Sequence, residues 1–301
     1  MKRRVNRTWA VCTAFLLFLA AQPSTAFDGI RLTPLGGAGA MDAAPAATGT
    51  LVEASDEVLV FDCGAGYLGR LRDARFLLGE LTAVFLTSLD AAHVDGCGEL
   101  LAAWLRADTA RPLPVWGPAG TIEIVRAWMA DTSADAAARI EVHEVGENLI
   151  YETEDVRVTA IVTDSPARLP SYGYRVDRER RAVVLLGGAL YSDNVAHAAS
   201  GAQVVASDVT AVAKGNAGDA GGQGTLTSYA TPEDAGRIWH AARAYLGLYS
   251  SVLLSGVGVD EVVAKTRRYF RGPVQVARSR MVIEIQNEVQ VRSTPSEGPR
   301  Q

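Results

Sequence analysis

The sequence predicts one layered domain of the α/β or α+β class, on three observations. The composition is that of a folded globular chain: 301 residues, 48% hydrophobic and 21% charged, with 29 glycines and 12 prolines. Short β-branched apolar runs alternate with segments of helical apolar spacing, and no segment repeats. Three cysteines are too few to staple a small scaffold, so the fold must rest on an apolar core of ordinary size. Disordered, collagenous and coiled-coil chains are excluded by the same figures.

The amino terminus precedes the fold. Lys2, Arg3, Arg4 and Arg7 are followed by an apolar run from Ala10 to Ala21, and Ser24-Thr25-Ala26 supplies small residues for cleavage. Residues 1–26 therefore read as a secretory signal peptide, and the chain as periplasmic or secreted. A retained anchor needs about 20 apolar residues, whereas the run from Trp9 to Ala21 ends in Gln22-Pro23. Cleavage removes four positive charges and no negative ones, moving the formal net charge from -5 to -9. Lys and Arg are scattered apart from Arg178-Glu179-Arg180-Arg181 and Arg267-Arg268, so no nucleic-acid partner is expected, and no membrane partner after cleavage. Cys12 leaves with the signal. Cys63 and Cys97 remain in an oxidising compartment, either bonded to each other or unpaired and buried nearby.

The elements follow in order. Arg31 to Leu35 and Thr50 to Val52 are the first apolar segments, and Val58 to Asp62 is a β-branched strand running into the turn Cys63-Gly64-Ala65-Gly66. Helical spacing is predicted from Tyr67 to Leu78, a buried strand from Leu81 to Thr87, a polar stretch from Ser88 to Cys97, and a helix from Glu99 to Ala107. Leu113 to Pro118 is a short strand with a stop. Residues 120–131 are amphipathic through Ile122, Ile124, Val125, Trp128 and Met129.

Further strands are predicted at residues 140–145, 156–163, 172–176, 182–186 and 204–206, and the Gly- and Ala-rich residues 214–223 as a surface loop. Thr231-Pro232-Glu233-Asp234 opens a helix, with Thr at the cap and Pro at the first position, that is expected to reach Tyr245. A strand at residues 251–254, a helix at 260–270 and strands at 274–276 and 281–285 complete the series, with 288–291 prolonging the sheet. The domain spans 27–292, and residues 293–301 are a polar tail expected to be disordered.

Six segments, in order, carry a resemblance. These are Leu35-Gly36-Gly37-Ala38-Gly39, the strand ending in Asp62-Cys63-Gly64, Val115-Trp116-Gly117-Pro118-Ala119-Gly120-Thr121, Tyr172-Gly173-Tyr174-Arg175, Thr231-Pro232-Glu233-Asp234-Ala235-Gly236 and Phe270-Arg271-Gly272-Pro273-Val274-Gln275-Val276-Ala277. Together, over about residues 31–285, they resemble the metallo-β-lactamase superfamily, in its ribonuclease Z and arylsulfatase-like branch. The resemblance implies an α+β fold, a four-layer αβ/βα sandwich with the active site at one edge between two sheets.

It also implies a zinc-dependent hydrolase, in which one or two zinc ions activate a water for attack on a polarised centre. The ligand positions carried over do not support that chemistry here. In the segment that matches His-x-His-x-Asp-His, Ser88 and Asp90 replace histidines, Ala92 replaces the aspartate, and only His93 is kept. The other ligand positions fall at Asp164, Gly188, Ser207-Asp208, Tyr229 and Gly256. Ala92, Gly188 and Gly256 offer no side-chain ligand, and two zinc ions need about four ligands each.

The expectation is a non-hydrolytic binding or accessory protein that needs no cofactor, with a small molecule or a periplasmic protein as partner. The alternative is a hydrolase rebuilt around the candidate ligands Asp90, His93 and Asp164, or a hard cation held by Asp90, His93, Asp95, Asp164 and Asp208. His143, His197 and His240 lie outside the matching segments and are expected at the surface or at helix ends. The chain has four histidines in all, fewer than the five that a dinuclear site of this branch uses.

Overall fold

The computed structural model describes residues 27–40, 48–107, 109–146, 148–164, 170–213 and 230–293. The expected signal peptide, the loop at 214–223, Tyr229 and residues 294–301 lie outside the described residues. Ser293, placed in the tail by sequence, closes the last strand.

Two sheets face each other. The first has the order β16 (Val289–Ser293), β15 (Met281–Ile285), β1 (Ile30–Pro34), β3 (Thr50–Ala54), β4 (Glu57–Phe61), β5 (Ala83–Phe85), β6 (Leu113–Gly117) and β7 (Ile140–Glu144). The second has the order β14 (Val274–Val276), β13 (Leu246–Ser255), β12 (Val204–Val212), β11 (Arg181–Leu185), β10 (Ser171–Arg178), β9 (Arg157–Thr163) and β8 (Asn148–Glu152), with β2 (Ala38–Ala40) added beside β13.

Strand alternation sorts the side chains into layers. Leu59 and Phe61 of β4, Ala83 and Phe85 of β5, Val204 and Ala206 of β12, and Leu246 and Leu248 of β13 point between the sheets into one buried core. Phe61 stacks on Phe85 with ring centroids 4.9 Å apart. The intervening residues point outward. Val60 and Val84 meet Leu68, Leu71, Leu101 and Trp104 from helices Tyr67–Asp73 and Cys97–Arg106. On the far side Val184 and Val205 meet Ile238 and Trp239 of helix Pro232–Ala241. The result is the expected αβ/βα order of layers.

Several boundaries differ from the sequence expectation. The helix from Tyr67 stops at Asp73, because Arg75 takes a left-handed φ of 60° and breaks the spiral, and a single turn of 3-10 helix covers Leu78–Glu80. The helix expected from Glu99 starts at Cys97, and the polar stretch before it holds a short turn of helix, Ala91–Val94. Helix Pro232–Ala241 has the expected Thr231 cap, with Asp234 closing the capping box, but ends before Tyr245, and Arg243 there has a φ of 55°. β12 and β13 are longer than their predicted apolar runs, and both carry buried polar residues at mid-strand, Ser207 and Asp208 on β12 and Ser250 and Ser251 on β13. Buried polar groups in a strand need partners and mark a candidate site.

Candidate functional site

The carboxyl end of β4 and the middle of β12 come together beside the loop after β5. Asp62 follows β4 with a left-handed φ of 58°, which an aspartate tolerates better than most residues. That turn directs its carboxylate under the loop, where Oδ1 accepts the Thr87 backbone N–H at 2.8 Å and Oδ2 accepts the Thr87 hydroxyl at 2.7 Å. Nδ1 of His93 lies 2.9 Å from the same Oδ2. A carboxylate only accepts, so Nδ1 carries the proton. The Thr87 and Thr48 hydroxyls flank that nitrogen at 3.2 and 3.4 Å.

The backbone locks this arrangement. Cys63 N–H donates to the His93 carbonyl at 2.8 Å, Gly96 N–H to the Cys63 carbonyl at 2.8 Å, and Thr48 donates through N–H and hydroxyl to the Ala92 carbonyl. The Cys63–Cys97 disulfide, with Cα atoms 5.0 Å apart, ties the same two segments covalently. Gly64 has to be glycine for this approach, since a Cβ there would lie 2.1 Å from the Ala92 carbonyl oxygen.

Asp208 completes the cluster. The register of β12 on β13 shifts between Ser207 and Asp208, leaving Ser250 as the extra residue of β13, and its hydroxyl donates to Asp208 Oδ1 at 2.7 Å. Asp62, His93 and Asp208 are 4%, 2% and 5% exposed, and one ligand-type atom from each lies within 4.8 Å of the others. Burial pulls the His93 pKa down, but the charge and hydrogen bond of Asp62, helped by Asp208 and Asp90, outweigh it and push it up to about 9. Burial raises the Asp208 carboxyl to about 6, against the lowering pull of His93 and the Ser250 hydroxyl.

The residues singled out by sequence divide clearly. His93 and Asp208 are in the cluster. Asp90 is half-buried at the start of the short helix, where its N–H donates to the Ser88 hydroxyl at 3.1 Å, and neither Asp90 nor buried Ser88 belongs to the three-residue group. Asp164 is exposed and outside the group, in which Asp62 and Asp208 accompany His93. Asp95 is also exposed. Ala92 contributes only its carbonyl, Gly188 is half-buried in the turn after β11, and exposed Gly256 has a φ of 65°.

Asp62 is the residue sequence reasoning passed over. Its signal was a carboxylate directly after an apolar strand and before Cys-Gly, but ligand counting looked elsewhere. His197 and His240 lie in the last turns of their helices, as expected. His143 does not: it sits on β7, half-buried and stacked on Trp116 at 4.2 Å, because strand alternation turns it to the face that Trp116 occupies on the neighbouring strand.

Residues 58–246 match the family described as the beta-lactamase superfamily domain. The chain belongs to the metallo-β-lactamase superfamily. Its curated relatives are ribonucleases Z: it is 35% identical over 173 residues to that of Mycobacterium sp. (strain KMS), covering 52% of this chain and 61% of the relative. It is 31% identical over 193 residues to that of Mycobacterium bovis (strain BCG / Pasteur 1173P2), covering 58% and 69%. The chain thus spans 61% of the length of the first of these relatives. Among solved structures, the metallo-beta-lactamase fold protein YhfI from Bacillus subtilis superposes with a TM-score of 0.69 at 22% identity, over 85% of this chain and 99% of that one. The short form of human tRNase Z superposes with a TM-score of 0.63 at 20% identity, over 85% and 99%. These likenesses show the fold.

The superfamily's usual zinc can be tested against the donors present. Both Asp62 oxygens are already engaged by Thr87 and His93, so Asp62 is placed as the outer partner that orients an imidazole. Asp208 accepts from the Ser250 hydroxyl and from the Ser251 backbone, so the remaining ligand-type atoms of the group are those of the His93 ring and the Asp208 carboxylate. A pair of zinc ions, at about four ligands each, does not fit this set. Among the described residues one divalent ion would find three such donors, on Asp62, His93 and Asp208.

Proposed function

We propose that this chain uses the metallo-β-lactamase fold without dinuclear hydrolysis, as a secreted periplasmic binding or accessory protein. The observation that carries this reading is the shortage of donors around His93. It is the one histidine kept from the ligand set, and a dinuclear centre needs about four ligands for each ion. Ala92, Gly188 and Gly256 bring no side-chain donors to the positions that would complete a metal site.

The secreted location rests on the charge and apolar pattern of residues 1–26. The partner is a small molecule or a periplasmic protein, and the acidic charge disfavours nucleic acid. Assay of the purified protein with ribonucleotide, phosphodiester, aryl ester and aryl sulfate substrates, with and without added zinc, tests the reading. Turnover that zinc stimulates and a chelator abolishes would defeat it.

A second reading is favoured by the compactness of the cluster. Three buried ligand-type atoms within 4.8 Å suit one divalent cation, and a hydrolase rebuilt on Asp62, His93 and Asp208 would use it. That reading expects activity that disappears in His93→Ala.

A further inference from the structure

Strand alternation leaves part of the first sheet without a covering layer. Ile30, Leu32, Val52, Ala54, Ile283 and Ile285 point into the core, so Arg31, Glu53, Val282 and Glu284 point outward on β1, β3 and β15. Helices Tyr67–Asp73 and Cys97–Arg106 cover the outward residues of β4 and β5. The outward residues of β3, β1, β15 and β16 instead floor a groove of about 1130 Å³, and Ala74 and Phe76, just past helix Tyr67–Asp73, wall it. Asp62, His93 and Asp208 do not line it.

The floor carries a row of charges whose order is set by strand register. Arg31 lies opposite Glu53 on one side and Glu284 on the other. The ion pairs run from Glu53 to Arg31 at 3.3 Å, from Arg31 to Glu284 at 3.2 Å and from Glu284 to Arg292 at 3.1 Å. From β3 to β16 the row reads minus, plus, minus, plus. A row of four alternating charges is its own complement when reversed, whereas a row of three or five would set like charges face to face. Turned over by a two-fold axis parallel to the strands, a second copy sets its Arg292 against Glu53 and its Glu284 against Arg31. Pairing within the chain leaves capacity for these contacts. Arg31 spends three of its five N–H groups on the two carboxylates. At the ends of the row, the side chains of Glu53 and Arg292 stay 30% and 61% exposed. Each charge already has a neighbour of opposite sign, so closing two rows on each other buries no lone charge. The shape agrees with this. The wall rises on the β3 side, while β16 is the edge of the sheet, so the same rotation lays each wall beside β16 of the other copy. Leu77, next to Phe76 on that wall, is 65% exposed.

We infer that this face docks a second copy of the chain in a two-fold dimer, with Glu53 of each copy against Arg292 of the other and Arg31 against Glu284. Four strands about 4.8 Å apart, each five residues long at about 3.4 Å per residue, give a floor on the order of 300 Å². A standard stable interface takes about 800 Å² from each partner, so this dimer is weak and reversible. The inference stands apart from the proposed loss of hydrolysis, since the two sites share no residue. Sedimentation velocity of the purified protein over about 10–500 μM tests it. The expected result is a monomer–dimer equilibrium that salt shifts toward monomer. Glu53→Arg and Arg292→Glu each set like charges face to face at two contacts, and each should weaken dimerisation by about tenfold or more. Mixing the two variants in equal amounts puts opposite charges back at both contacts and should restore association. Monomer throughout the concentration range, a dimer that neither variant weakens, or a mixture that stays as weak as its components overturns the inference. Should a charge reversal fail to fold by circular dichroism, Glu53→Gln and Arg292→Gln decide, and wild-type association in both overturns it.

Discussion

Replacing Asp62 by Asn is the most direct probe of the buried pair. Asn tolerates the left-handed φ of 58° nearly as well as Asp, so the backbone is not the variable. Its amide oxygen can still accept the Thr87 N–H, but the amide nitrogen is a donor where the Thr87 hydroxyl and His93 Nδ1 need an acceptor. The imidazolium then loses its counter-charge in a buried site. A pKa of about 9 in place of the ordinary 6.5 corresponds to about 3 kcal/mol of stabilisation when His93 is protonated. The Thr87 hydroxyl adds about 1 kcal/mol. The expected loss at pH 7 is thus about 3–4 kcal/mol, or a fall in Tm on the order of 10 °C for a domain of this size. Urea unfolding followed by circular dichroism measures the loss, and the NMR titration of His93 should fall from about 9, because burial is then opposed only by the charges of Asp208 and Asp90. A change under about 1 kcal/mol with His93 still titrating near 9 would show that the pair does not hold the site together.

The other expectations concern the same region. Wild-type stability should fall as pH rises from 6.5 through about 9, because the folded state binds the His93 proton more tightly than the unfolded chain does. It should also fall between 3.8 and about 6, where native Asp208 keeps a proton that the unfolded chain releases. A stability curve that rises across the upper window would contradict the assignment for His93. Removing the disulfide as Cys63→Ala with Cys97→Ala opens a loop of sequence separation 34, for an expected loss of about 4 kcal/mol by the chain-entropy model. Mass spectrometry after alkylation without reduction should find neither cysteine labelled. Gly64→Ala should cost at least as much as an overpacked core residue, about 1–3 kcal/mol, since the methyl would meet backbone atoms that cannot rotate away. Chemical denaturation measures that loss, and a variant as stable as wild type would place the Ala92 carbonyl elsewhere.

The strands were legible where their residues repeat a local pattern. Val58 to Phe61 and Met281 to Ile285 follow the alternation of a half-buried strand, and the Thr231 cap announces its helix. The short helix Asp193–Ala198 and β8 were not anticipated, because neither carries an apolar run long enough to stand out. At the site, His93 and Asp208 were legible from ordered motifs alone. The role of Asp62 was not, because it depends on a turn of φ and on contacts across about thirty residues of chain that only the folded loop supplies. The ion pair of Arg31 with Glu284 was invisible for a stronger reason. It crosses the β1–β15 pairing, and no local pattern announces a pairing of segments so far apart in the chain.

The central claim, that this fold works without its dinuclear zinc centre, is tested most directly by the zinc content of the purified protein after dialysis. Loss of the site predicts a substoichiometric amount that does not change the unfolding temperature when zinc is added back. One or two zinc ions retained per chain would contradict it.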